Sequence, residues 1–126
     1  MSWQAYVDNN LLGTGKVSQA AILGQQGGVW AASEGFSLST EEQNAAINAF
    51  KNSDNTLATG VRLAGTKYFA LDANDRVIRA KKAADGAILV KTNQAILVAV
   101  YKAPLQAPET SPVVEGLGDY LIGVGY

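Results

Sequence analysis

The side chains best suited to hold a ligand gather at the two ends of this chain. The start reads Ser2-Trp3-Gln4-Ala5-Tyr6-Val7 and the finish Asp119-Tyr120-Leu121-Ile122-Gly123-Val124-Gly125-Tyr126. Chain ends fray and are mostly solvated, so large rings there need a packing partner or a ligand. Three apart on a helix, Trp3 and Tyr6 share one face, and Tyr120 and Tyr126 join them if the ends dock, with Trp30 lying beneath. Such a platform offers flat apolar faces together with Trp Nε1–H and Tyr O–H donors. Its chemical complement is a polyproline II segment, whose carbonyls lack internal partners and whose rings pack on aromatics. The competing reading is that these rings only seal two terminal helices against a sheet.

Other chemistries find little support. The chain has no histidine and no cysteine, which removes the commonest general base, the commonest metal ligand and any disulfide. Gly13-Thr14-Gly15-Lys16 lacks the glycine spacing, preceding strand and following Ser or Thr of a phosphate loop. It reads as a helix stop and turn. Gly123-Val124-Gly125 precedes no helix, so it is no dinucleotide fingerprint. Glu41 and Glu42 are better explained by helix capping than as paired catalytic acids. No enzyme, cofactor or metal is expected. Ten Lys and Arg against eleven Asp and Glu leave a net charge of −1, without the basic excess of a nucleic-acid binder. The one basic concentration is Arg76, Arg79, Lys81, Lys82 and Lys91, which fits solvated strand decoration, an acidic protein partner or anionic headgroups.

The elements that would position these groups fit one domain over residues 1–126. No leader pattern opens the chain and no apolar run nears the ~20 residues of a membrane span, so a cytosolic location is expected. Ser2 caps a first helix that runs to about Leu12 and stops at Gly13. Residues 17–24 and 29–32 pair as strands. Ser39 and Glu42 form a capping box for a middle helix that ends at Asn52-Ser53-Asp54-Asn55. Further strands span 61–63, 67–71, 76–81, 87–91 and 94–101, with Asp85-Gly86 as a two-residue hairpin turn. The stretch Ala95–Tyr101 is apolar at every position, so both its faces must be covered. A last helix begins near Val113 and carries Gly116 and Gly118, each costing ~1 kcal/mol relative to Ala. The fold class is therefore α+β: a central antiparallel sheet of about five to seven strands, terminal helices on one face and the middle helix on the other.

Several of these segments together resemble the profilins of amoebae and fungi: Ser2-Trp3-Gln4-Ala5-Tyr6-Val7-Asp8, Gly13-Thr14-Gly15, Ala20-Ala21-Ile22-Leu23-Gly24, Val29-Trp30-Ala31, Asn74-Asp75-Arg76, Lys81-Lys82, Val90-Lys91-Thr92 and Asp119-Tyr120-Leu121-Ile122-Gly123. The likeness spans the whole chain. It implies a monomeric, cytoskeletal regulator of actin polymerisation that binds monomeric actin and proline-rich partners such as formins. Phosphoinositide headgroups are a further family ligand, made weak here by the near-neutral charge. Carried over residue by residue, the proline groove is Trp3, Tyr6, Trp30, Tyr120, Leu121 and Tyr126. The actin face is Arg79, Lys81, Lys91 and Val113, with Tyr68, Asp72 and Gly116.

Departures from the family pattern fall on that second face. Related profilins often carry arginine where this chain has Asp72, lysine where it has Gly116, and a non-proline residue at Pro112. Where they have Ser-Ile-Tyr-Gly, this chain reads Val77-Ile78-Arg79-Ala80. A charge reversal at an interface can cost several kcal/mol, so a proline-peptide adaptor with weakened or lost actin binding is the alternative reading.

Overall fold

The computed structural model describes residues 2–126. Its strands are β1 (Gln19–Gly24), β2 (Val29–Ala32), β3 (Val61–Leu63), β4 (Thr66–Ala73), β5 (Val77–Lys82), β6 (Asp85–Lys91) and β7 (Ala95–Tyr101). Its helices are α1 (Trp3–Ala5), α2 (Thr40–Ala49), α3 (Ser53–Thr59) and α4 (Ala107–Gly123). The strands form one antiparallel sheet in the order β2-β1-β7-β6-β5-β4-β3.

β7 lies near the centre of that sheet and is buried throughout. Its alternation divides the core in two. Ile96, Val98 and Val100 pack with Phe36, Leu38 and Phe50 on the side of α2 and α3, whereas Ala95, Leu97, Ala99 and Tyr101 pack with Val7, Leu11, Val114, Leu117 and Leu121. Fully burying one such Leu, Ile or Val side chain contributes roughly 1.5–3 kcal/mol. Terminal helices therefore cover one face and middle helices the other, as the uninterrupted apolar run requires.

The local signals differ from this architecture in four places. First, the opening helix is α-helical only over α1; Tyr6–Leu11 is a π-helix and Leu12–Thr14 a 3₁₀ turn, so the stop is Gly15 at φ 76° and not Gly13. Second, Asn52 does not end the middle helical region. Its side chain accepts from the Asn55 N–H at 3.0 Å and so caps α3.

Third, Asp85-Gly86 is not the hairpin turn. Lys82 pairs with Asp85 across the strands, Ala83 and Ala84 make the turn, and Ala83 takes φ 54°. The glycine is needed inside β6 instead, because a Cβ on Gly86 would collide with the ring and hydroxyl of Tyr101. Asp85 meanwhile accepts from the Ala103 N–H at 3.0 Å.

Fourth, α4 starts six residues earlier than expected, at Ala107. Pro108 falls in its first turn, where no N–H is needed, and Pro112 continues the helix without the bond its missing N–H would give. Tertiary contacts secure this early start: Thr110 Oγ1 donates to the Lys16 carbonyl at 2.6 Å and Lys16 pairs with Glu109 at 3.0 Å. Gly118 lets the helix lie close on β6, since its Cβ would approach Val90 Cγ1 to 2.7 Å.

Candidate functional site

The Ser2 hydroxyl accepts from the Ala5 N–H at 3.0 Å and caps α1, which packs against the edge strand β2. Gln4 fixes its orientation there by donating to the Ala32 carbonyl of β2 at 2.8 Å. That placement brings Trp3 against Trp30, with ring centroids 4.7 Å apart. Trp30 thus lies beside Trp3 and stays 37 % exposed, instead of lying beneath it. Tyr126 meets Trp3 edge-on at 5.0 Å, Tyr6 stands 5.6 Å from Trp3, and Tyr120 stands 6.3 Å from Tyr6. Five rings from both chain ends and β2 therefore form one continuous shelf, with Tyr120 54 % and Tyr126 42 % exposed.

Burial raises the Tyr6 hydroxyl pKa above its ordinary value, and hydrogen bonding with Tyr120 and the charges of Tyr120 and Tyr126 add to the rise. The phenol stays protonated at neutral pH and able to donate. Leu121 is fully buried in the core under this shelf; its carbonyl accepts from the Tyr126 N–H at 2.8 Å. Its side chain supports the shelf and presents no surface to a ligand.

Gly24 is a contributor that the terminal aromatics do not reveal. A Cβ there would sit 2.6 Å from Trp30 Nε1, so the bare backbone of β1 lets the indole lie across it. A glycine closing an apolar strand is the available signal, and it signals close approach of something bulky.

The residues carried over to the second face are dispersed. Tyr68 is buried on the α2 and α3 side of the sheet. Lys91 lies at the far end of β6, in a polar cavity of about 330 Å³ with Gln25, Asp75 and Arg76. Val113 and Gly116 line a mostly apolar groove of about 400 Å³ with Tyr6, Asn10, Leu117 and Tyr120, next to the aromatic shelf.

Asp72 and Arg79 do meet. They are paired across β4 and β5, with Arg79 Nη1 2.7 Å from Asp72 Oδ2. Arg79 Nη2 also lies 3.0 Å from Glu115 Oε2, and its Nε donates to Ser111 Oγ at 3.3 Å. The opposite charges of Asp72 and Arg79 therefore neutralise each other. Arg79 is engaged by two carboxylates and is no free positive charge.

Lys81 is exposed and stands opposite Phe69 in the β4–β5 register. Phe69 and Leu71 are each 64 % exposed, and Lys67 Nζ lies 5.4 Å from the Phe69 ring centroid. Their signal in the sequence is apolar residues on both alternating faces of a single strand. Among the described residues no three acidic groups converge as a metal-binding set, and no helix is long and apolar enough to cross a membrane.

Comparison with known proteins places this arrangement in a context. The sequence model of the family described as Profilin matches residues 1–126. Profilin-1B of Acanthamoeba castellanii is 52 % identical over 126 residues, covering all of both chains, and Profilin of Drosophila melanogaster is 46 % identical over the same span. The solved structure of Acanthamoeba castellanii profilin IB superposes with a TM-score of 0.96 at 50 % identity, over 99 % of this chain and 100 % of that one. A more distant fold neighbour, mouse profilin IIa in complex with a double repeat from the FH1 domain of mDia1, has a TM-score of 0.81 at 22 % identity over all of both chains. Matched from end to end by the family's sequence model, by relatives sharing about half of its residues and by a solved structure of the same fold, this chain belongs to the profilin family.

Proposed function

We propose that this chain binds monomeric actin and proline-rich segments, and thereby regulates actin polymerisation. The single observation that carries the reading is the ring series Trp30–Trp3–Tyr6–Tyr120, with Tyr126 at its edge, built from the two chain ends. Its exposed faces and donor tips suit a polyproline II backbone, which is already extended and loses little entropy on docking. The fold neighbour bound to an FH1 repeat supports formin-type segments as ligands. The protein works by binding, without covalent catalysis, as a single cytoplasmic domain associated with the cytoskeleton. Phosphoinositide binding is a minor property of such a near-neutral chain.

Decaproline is the test ligand, followed by intrinsic tryptophan fluorescence. The expected affinity is on the order of 10–100 µM, about −5.5 to −7 kcal/mol. Trp3→Ala removes the ring that touches three of the others, and the affinity should drop at least tenfold, or about 1.4 kcal/mol. An unchanged affinity rejects the shelf as the site.

A second reading has its own observation. Arg79 is closed in by Asp72 and Glu115, so this face offers an actin partner less positive charge than its sequence suggests. A proline-peptide adaptor with weakened actin contact would result. Direct titration of the protein against monomeric actin separates the two readings.

A further inference from the structure

Tyr126 is the last residue and 42 % exposed, yet its ring stands in a defined edge-on contact with Trp3. A terminal residue keeps such a position only if its backbone is tied down. The ties come from the turn between β6 and β7, a segment with no aromatic residue. The Tyr126 main-chain oxygen accepts from Thr92 Oγ1 at 2.8 Å and from the Gln94 N–H at 2.5 Å. The Gly125 carbonyl accepts from Gln94 Nε2 at 2.9 Å.

The turn is itself anchored. Thr92 is 3 % exposed; its hydroxyl oxygen accepts from the Ala95 N–H at 2.9 Å, and of the two acceptors in reach of its one proton the tail oxygen at 2.8 Å is nearer than the Ala95 carbonyl at 3.3 Å. The Gln25 N–H donates to the Gln94 carbonyl at 2.9 Å, and the Gln25 side-chain amide donates to the Thr92 carbonyl. This anchoring passes through the sheet, independently of the ring contacts.

We infer that Thr92 and Gln94 are positioning residues for proline-peptide binding: they fix the chain end so that Tyr126 flanks Trp3 before the ligand arrives. The inference rests on the proline-binding reading above. Without the ties, the tail would have to be ordered during binding, and each newly immobilised side chain and backbone unit lowers affinity. The expected loss is on the order of fivefold to tenfold for the pair of residues.

The test measures decaproline affinity for Thr92→Val, Gln94→Ala and their combination, by tryptophan fluorescence. Gln94→Ala removes only an exposed amide and guards against misfolding in the Thr92→Val protein, which loses the acceptor for the Ala95 N–H. Both variants should bind more weakly, and Thr92→Ser, which keeps the hydroxyl, should bind like the parent. In a Tyr126→Ala background the same substitutions should cause no further loss, because the ring they position is gone. Affinities within twofold of the parent for the combined variant overturn the inference, as does an undiminished loss in the Tyr126→Ala background. Failure of Trp3→Ala to weaken decaproline binding would instead overturn the underlying site.

Discussion

The sharpest consequence of the structure concerns Arg79, which bridges two elements. Asp72 faces it across the β4–β5 ladder, while Glu115 and Ser111 reach it from the first half of α4. The side chains are 32 % exposed for Arg79, 55 % for Asp72 and 35 % for Glu115. Water therefore screens the cluster, and each pair contributes at most about 1 kcal/mol.

Asp72→Arg removes one favourable pair and sets two cations directly opposite each other, which carries a comparable penalty. The combined destabilisation is about 1–2 kcal/mol, or a fall in Tm of roughly 4–8 °C for a chain of this size. Urea denaturation of the parent, Asp72→Ala, Arg79→Ala and the double variant should give a coupling of about 0.5–1 kcal/mol. That coupling should shrink toward zero near 1 M salt, where the Debye length is about 3 Å. Exchanging the two residues should not restore stability, because a carboxylate at position 79 would then face Glu115. An additive cycle with no salt dependence would refute the Asp72–Arg79 coupling and leave Glu115 as the one carboxylate engaging Arg79.

Two other perturbations test the site and its support. Gly24→Ala drives a methyl to within 2.6 Å of the Trp30 indole nitrogen. The half-exposed ring should swing outward, so decaproline affinity should fall severalfold while urea stability changes by about 1 kcal/mol; unchanged affinity would show that Trp30 needs no such seat. Glu42 caps α2 through the Ser39 N–H at 2.9 Å and accepts from the Gly65 N–H at 2.8 Å. Burial opposes its ionisation, but the backbone bonds from Gly65, Ser39 and Ala64 outweigh that and hold its pKa below the ordinary value. Its stabilising contribution is therefore present above the unfolded pKa of about 4.3 and lost as pH falls through the lower folded value. Glu42→Gln should lower stability by about 1–3 kcal/mol at neutral pH, and its stability curve should be flatter below pH 4. Parallel curves for parent and variant in acid would contradict this.

Local chemistry made much of the architecture legible. The Ser39–Glu42 box forms as its spacing predicts, because both partners lie within one helical turn. The uninterrupted apolar residues of β7 demanded cover on both faces and received it. Signals with several possible partners were less informative. Asp85-Gly86 has the composition of a turn, yet Tyr101 from the neighbouring strand requires that glycine within β6. Asn52 suits a helix end and a helix start equally, and the helical turn over residues 53–59 decides for the start.

The types and alternation of residues by themselves determined an α+β fold and an aromatic group at each end, since burial and hydrogen-bond requirements act within a few residues. Only the tertiary structure decided that Leu121 supports the shelf from inside and that Lys91 lies far from Lys81. It alone paired Arg79 with Asp72 and Glu115, and tied Tyr126 to Thr92 and Gln94. Those facts depend on strand register and on how α4 crosses the sheet. Register and crossing are set by contacts between residues tens of positions apart, for which no local pattern encodes the partner.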